Sequence, residues 1–361
     1  MFNLHANATA AGSSTILPGL TATTGTAERF ILLRRPEGVP DESNFGLEKF
    51  SITRSLKQNE LRLHGLYFSV DPSMRGRMND AKSYVPAFEL NKPLEGNVVA
   101  RVAESKSPNF KSGDLVVGQL PWSTESVVPT EKVRLIDTSN AMASEYLGAL
   151  GMTGMAAYFG LLRIGQPKAG ETVLVSGAAG AVGGIVGQIA KIKGCRTVGI
   201  TGSDEKAKYL TGHLRFDDSI NYKTSTDLEA KIRQACPNGV DVYFDNVGGP
   251  ISDAVIQNMN VNGRIVLCGQ ISLYNSKNAP MGPRIQPILL TRRILMQGFI
   301  VGDFRSEFPV AVQEMTKWLA DGKIESSETI VPGFTHLPQA FIGLFSGKNT
   351  GKMIVKAENW L

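Results

Sequence analysis

Between Glu171 and Thr201 the chain reads as strand, glycine-rich turn, helix and strand, and this unit constrains the fold more than any other stretch. Glu171 to Ser176 carries the apolar run Val173, Leu174 and Val175 expected of a buried parallel strand. Gly180 to Lys193 places Val182, Ile185, Val186, Ile189 and Ile192 at helical spacing, with Gly194 suited to a C-terminal cap. Thr197 to Thr201 is the next strand. Two strands joined through a helix must run parallel, because the crossover returns the chain to the same end of the sheet. The alternation continues through strands at Ser219 to Tyr222, Val240 to Phe244, Arg264 to Cys268 and Ile294 to Val301. The segment after about residue 150 is therefore α/β with a doubly wound parallel sheet.

The turn itself is Val175-Ser176-Gly177-Ala178-Ala179-Gly180-Ala181-Val182-Gly183. Its small residues permit a tight strand-to-helix turn and let a pyrophosphate approach backbone N–H groups at the helix N-terminus. A tight turn without a ligand is the alternative. NAD-preferring sites place an acid at the tip of the second strand; here that strand ends Ile200-Thr201-Gly202-Ser203, with Lys206 and Lys208 on the next turn. This favours NADPH, whose 2′-phosphate the lysines would pair. Asp204 and Glu205 point the other way, unless they serve as first-turn residues of the following helix.

Before this region the texture is β-rich, with strand-like runs at Phe30 to Leu33, Leu61 to Val70, Asn97 to Val102 and Leu115 to Gly118. Residues 1–27 contain no acid and no Lys or Arg, and are expected to be a disordered tail. No secretory or transit pattern precedes Arg29. After Gly322 the chain offers a strand (Glu328 to Val331), a helix (Leu337 to Phe345) and a strand (Lys352 to Lys356), expected to rejoin the first domain. The expected division is thus 28–150 with 322–361, and 151–321.

The length of 361 residues supports two domains, and 42% hydrophobic residues with 20% charged ones is ordinary globular composition. No apolar run approaches the roughly 20 residues of a membrane span. The net charge of +5 is dispersed, without the basic block that nucleic acid would call for. Three cysteines, Cys195, Cys236 and Cys268, show no CxxC spacing, which suits a reducing cytoplasm.

From about Arg29 onward the chain resembles the zinc-independent medium-chain reductases that include prostaglandin reductases, leukotriene dehydrogenase, plant alkenal double-bond reductases and curcumin-reductase-like enzymes. The matching blocks include Ser69-Val70-Asp71-Pro72, Met74-Arg75-Gly76-Arg77-Met78, the glycine turn, Gly202-Ser203-Asp204-Glu205-Lys206 and Ile220-Asn221-Tyr222-Lys223. They continue with Tyr243-Phe244-Asp245-Asn246-Val247-Gly248-Gly249, Cys268-Gly269-Gln270-Ile271-Ser272-Leu273-Tyr274-Asn275 and Asn349-Thr350-Gly351-Lys352. The resemblance implies a GroES-like β-barrel catalytic domain beside a Rossmann domain, commonly in a homodimer. It implies Gly180, Ala181, Val182 and Gly183 on the pyrophosphate, Lys206 and Tyr222 around the 2′-phosphate, and Asn246 beside the cofactor. It also implies Cys268, Gly269, Gln270 and Tyr274, then Phe299, Ile300, Val301 and Asn349, along the nicotinamide side. Three positions depart from the family pattern: Ser73 stands where Tyr is usual and lines the substrate cleft, Ala156 replaces Thr, and Arg215 replaces Gly.

A zinc alcohol dehydrogenase needs three protein ligands around an open position. No cysteine precedes Cys195, and Leu94-Glu95-Gly96-Asn97 stands where Gly-His-Glu would supply one, so no metal is expected. Hydride from the cofactor to the β-carbon of an α,β-unsaturated ketone or aldehyde then fits, with an enolate oxygen to be stabilised by a positioned hydroxyl. Tyr274 is the candidate donor, with a packing aromatic as its alternative role. Quinone reduction and NADPH binding without turnover are the competing functions.

Overall fold

The protein is described by a computed structural model covering residues 26–278 and 280–357. The expected tail lies outside the described residues up to position 25. Ala27 already opens the first strand, where it pairs with Phe50.

The N-terminal part comprises β1 (Ala27–Leu32), β2 (Phe45–Phe50), β3 (Glu60–Ser69), a single helical turn α1 (Met74–Arg77), β4 (Glu95–Ser105), β5 (Leu115–Pro121), β6 (Glu125–Pro129) and β7 (Val133–Leu135). Helix α2 (Met152–Phe159) then leads into β8 (Thr172–Ser176), α3 (Gly183–Ile192), β9 (Arg196–Thr201), α4 (Asp204–Gly212), β10 (Asp218–Asn221), α5 (Leu228–Ala235), β11 (Val240–Asp245), α6 (Gly249–Ile256), β12 (Met259–Leu267), α7 (Gln286–Arg292), β13 (Leu295–Gly298) and α8 (Phe308–Ala320). The chain ends with β14 (Glu328–Pro332), α9 (Leu337–Leu344) and β15 (Lys352–Lys356).

Six strands form one parallel sheet in the order β10-β9-β8-β11-β12-β13. Every residue of β8 is buried, as a central strand covered on both faces requires. The order reverses beside β8, and its carboxyl end is where such sheets bind ligands. The second sheet runs β14-β15-β3-β4-β5-β7, with β6 also on β3. The C-terminal strands thus return to the N-terminal sheet: β15 lies antiparallel to β3, with Ile354 opposite Ser69. Trp122, Phe68, Phe334 and Phe341 pack between this sheet and α9. Val99, Val117, Tyr146, Leu147 and Ile354 share one apolar cluster with Val173, Val175 and Phe244, so the two sheet units meet over a continuous dry contact. Each such side chain contributes about 1.5–3 kcal/mol through burial. Among the described residues no helix is long and apolar enough to cross a membrane.

Several expected strands change their limits, and in two the backbone shows why. β12 begins at Met259, five residues before the reading that opened it at Arg264, because Met259 pairs with Val240 and the register then shifts across Asn260 to Gly263 before resuming at Arg264. β13 stops at Gly298, since Val301 opens a 3-10 turn running to Glu307. Arg215, in the place of a usual glycine, does hold a left-handed backbone with φ +59°.

Candidate active site

The turn after β8 is built as a cradle. Gly177 has φ +60°, and a Cβ on Gly183 would lie 2.5 Å from the Gly177 carbonyl oxygen. The turn can therefore close this tightly only with glycine at 183. Gly180, Ala181 and Val182 lead directly into α3, where the N–H groups of Gly184, Ile185 and Val186 donate back to Gly180 O and Val182 O, so the N-terminal end of the helix is formed by the turn itself. The last strand unit closes over the turn: Gly351 N–H donates to Ala179 O at 2.8 Å, and Gly351 bridges Gly180 in parallel fashion. Asn349 donates through Nδ2 to Gly351 O at 2.7 Å, which puts it on the glycine-turn side of the cleft.

At the tip of β9, Ser203 caps α4 by accepting from Lys206 N–H, and Asp204 and Glu205 occupy the favourable first turn. Asp204 accepts from Asn221 Nδ2 at 2.7 Å, so its carboxylate is already engaged. A side chain on Gly202 would meet the Tyr222 ring at 3.2 Å and Lys223 Cε at 3.4 Å. Lys206 donates to Gly347 O at 2.7 Å, and burial together with the charge of Lys223 pushes its ammonium below the usual lysine range. Lys223, exposed like the Lys208 of the sequence reading, is the cation whose charge acts on Lys206 here. An anion beside Lys206 would relieve that repulsion.

The opposite wall starts from Asp245, a fully buried carboxylate at the end of β11. One oxygen accepts from Ser176 Oγ, Tyr243 Oη, Val247 N and Gly248 N at 2.8–3.0 Å, and the other from Ser252 Oγ at 2.6 Å and Gln270 Nε2 at 2.9 Å. Asn246 is fixed to the end of β8 by Nδ2–H to Ser176 O, 2.8 Å, and by its own N–H to Ser176 Oγ, 3.0 Å. Cys268 and Gly269 both donate backbone N–H to Asp245 O, so the strip Cys268–Gln270 runs beside Asn246. Burial, with Asp245 nearby, pushes the Cys268 thiol up to about 12, and burial pushes Cys236 to about 12 and Cys195 to about 11; none is a thiolate near neutral pH.

Tyr274 folds back over this strip. Its Oη accepts from Gln270 N–H at 3.1 Å and lies against Gly269, where a Cβ would come within 3.2 Å. Burial holds the phenol above its ordinary value of 10, so it stays protonated at neutral pH. Tyr84, 65% exposed, is close enough to add to that shift, a proximity that sequence reasoning missed. On the other side, Lys352 is buried and donates to Val70 O at 2.8 Å and Asp71 at 2.9 Å, fixing the segment that enters exposed Ser73 and α1. Phe299 turns inward against Gly160 and Phe304, while Ile300 is exposed and Val301 packs at the core edge. Among the described residues no three His, Cys, Asp or Glu side chains gather as a metal site would.

Asp245 carried no role in the sequence reading, although an acid directly after the apolar run Val242–Phe244 of the strand is itself a signal. A carboxylate in that position must be fully hydrogen-bonded to be tolerated.

Residues 28–136 match the family described as N-terminal domain of oxidoreductase, and residues 181–317 the family described as zinc-binding dehydrogenase. YfmJ of Bacillus subtilis, provisionally named an NADP-dependent oxidoreductase, is 53% identical over 93% of this chain and 99% of its own. The NADP+-dependent 2-alkenal reductase of Nicotiana tabacum is 41% identical over 91% of this chain and 96% of its own. The crystal structure of CurA from Vibrio vulnificus in complex with NADPH superposes with a TM-score of 0.86, at 40% identity, covering 92% of this chain and all of that one. The chain belongs to the medium-chain dehydrogenase/reductase family of NADP-dependent oxidoreductases.

Proposed function

We propose that this protein uses NADPH to reduce the carbon–carbon double bond of small α,β-unsaturated ketones and aldehydes. The observation that carries the reading is the state of Tyr274: its oxygen already accepts from Gln270 N–H, so its own proton is free to be donated, and accepting strengthens it as a donor. The relatives' dependence on NADP and the 2-alkenal substrate of one of them point the same way.

The residues fit the cofactor. The glycine turn leaves room only for backbone beside Gly183, and Lys206 and Lys223 are close enough for the charge of one to act on the other, as two cations around a phosphate would be. In this reading Gly180, Ala181, Val182 and Gly183 hold the pyrophosphate, and Lys206, Tyr222 and Lys223 hold the 2′-phosphate. Asn246, Cys268, Gly269, Gln270, Phe299, Ile300, Val301 and Asn349 surround the remainder. When bound, NADPH supplies the hydride that adds to the β-carbon of the substrate. Tyr274 donates its phenolic proton in a hydrogen bond to the substrate oxygen on which negative charge develops, an interaction worth about 3–4 kcal/mol. Ser73 and Tyr84 border the substrate. Ser73, in place of the tyrosine that the resemblance implies, leaves a wider cleft.

Residues 28–150 with 322–361 form the catalytic half in this reading and 151–321 the nucleotide half, a division supported by the strand membership of the two sheets. The solution form is a homodimer, supported by β13, an edge strand with Leu295 52% exposed. A reducing, cytoplasmic setting suits the three free cysteines. The test is NADPH oxidation with an alkenone, followed by identification of the product. A saturated ketone supports the reading, and an allylic alcohol, from attack at the carbonyl carbon, overturns it.

A further inference from the structure

We propose that Arg75 is a positioning residue for Tyr274, acting through Asn275; the inference rests on the reading of Tyr274 as the hydrogen-bond donor to the substrate oxygen. Arg75 belongs to α1 in the N-terminal sheet unit and is 3% exposed. Its guanidinium donates to Gly38 O (3.0 Å from Nη2, 3.3 Å from Nε), Pro36 O (3.2 Å), Asn79 Oδ1 and Asn275 Oδ1 (3.0 Å from Nε). All four acceptors are neutral oxygens. A buried cation without a counter-charge is tolerated only when its donors are fully used, which makes the arrangement stiff.

Three of those acceptors are local to the N-terminal unit, and the fourth comes from the other half of the molecule, 200 residues away. Asn275 directly follows Tyr274 in the turn that starts at Ile271. That turn is therefore anchored twice. At its start Gln270 is held by Asp245, and the Gln270 N–H reaches Tyr274 Oη. At its end Asn275 is held by Arg75. The neighbouring Lys277–Glu37 pair, 3.7 Å apart and exposed, adds little because solvent screens it. Through the Arg75–Asn275 bond the hydroxyl is set relative to α1, the helix that Ser73 opens, as well as to the nucleotide half. Tyr274 is in place when the two halves are together.

The experiment compares Asn275→Ala with Asn275→Asp, which keeps the Oδ1 acceptor and supplies a counter-charge, each alone and in a Tyr274→Phe background. Asn275→Ala is expected to lower kcat for an alkenone on the order of 10- to 100-fold while NADPH affinity moves by no more than about twofold. Hydrogen exchange of the Gln270 amide rises, because its bond to Tyr274 Oη loosens. Asn275→Asp restores both. In the Tyr274→Phe background Asn275→Ala costs nothing further, as expected for two residues acting through one hydroxyl. The proposal is overturned if Asn275→Ala retains its full effect on kcat without the Tyr274 hydroxyl, or if the Gln270 amide exchanges as in the parent protein. A parent protein that reduces no enone would refute the functional reading instead, and the Gln270 exchange would still decide whether Arg75 and Asn275 hold the turn.

Discussion

Alanine at position 183 puts a methyl carbon 2.5 Å from the Gly177 carbonyl oxygen, 2.7 Å from Ala178 Cα and 3.0 Å from the Gly177 carbonyl carbon. All three are backbone atoms, so no change of rotamer relieves the contact. Ordinary Cβ contacts begin at 3.4 Å, so either the turn or the first turn of α3 must move by close to an ångström. Overpacking of this kind costs about 1–3 kcal/mol. In the proposed reading the displaced groups are the ones that hold the pyrophosphate, so most of the cost should fall on the cofactor. Gly183→Ala should weaken NADPH roughly 5- to 150-fold, read by titrating the nicotinamide fluorescence, with a smaller loss of thermal stability. Gly180→Ala, whose Cβ would stand 3.1 Å from the same oxygen, should lose less. Gly212→Ala, with nothing within 4 Å at the end of α4, should bind NADPH unchanged and be slightly stabilised. Parent-like affinity in Gly183→Ala, or a larger loss in Gly180→Ala, would refute the cradle geometry.

Lys206→Ala and Lys223→Ala should each weaken NADPH far more than NADH in parallel titrations; equal losses for both cofactors would show that the 2′-phosphate lies elsewhere. Tyr274→Phe should lower kcat for an alkenone by about 10²–10³ with NADPH affinity kept, and unchanged turnover would remove the donor role. Burial raises the Tyr274 pKa, and only the protonated phenol can donate, so kcat should hold through neutral pH and fall on the alkaline side above pH 10. A Tyr274-dependent alkaline limb well below that would contradict the burial. Asp245→Asn leaves Gln270 Nε2 and Ser252 Oγ facing an amide, a mismatch of about 1–3 kcal/mol that should appear as a lower melting temperature with kcat reduced; a variant with parent stability would show the network to be idle.

The nucleotide half was legible because its elements carry their own periodicity. The all-buried β8 and the apolar face of α3 announce themselves; in the other sheet, Lys352–Lys356 appears at the limits read from sequence. β2, β6 and β7 were not legible: they are short and half-exposed, and their pairing partners, not their composition, make them strands. The glycine turn and Lys206 could be located from local spacing. Lys223 could not be told from Lys208, because the turn after β10 approaches α4 only in the folded sheet. The Asp245–Gln270 and Arg75–Asn275 contacts join residues 25 and 200 positions apart, and nothing local to either partner encodes them.

The most direct test of the central claim is NADPH consumption by the purified protein with a panel of alkenals, alkenones and quinones, with the products identified by mass. The account predicts saturated aldehydes and ketones, formed with NADPH in preference to NADH and lost in Tyr274→Phe. Tight NADPH binding with no turnover of any enone, or turnover of quinones alone, would contradict it.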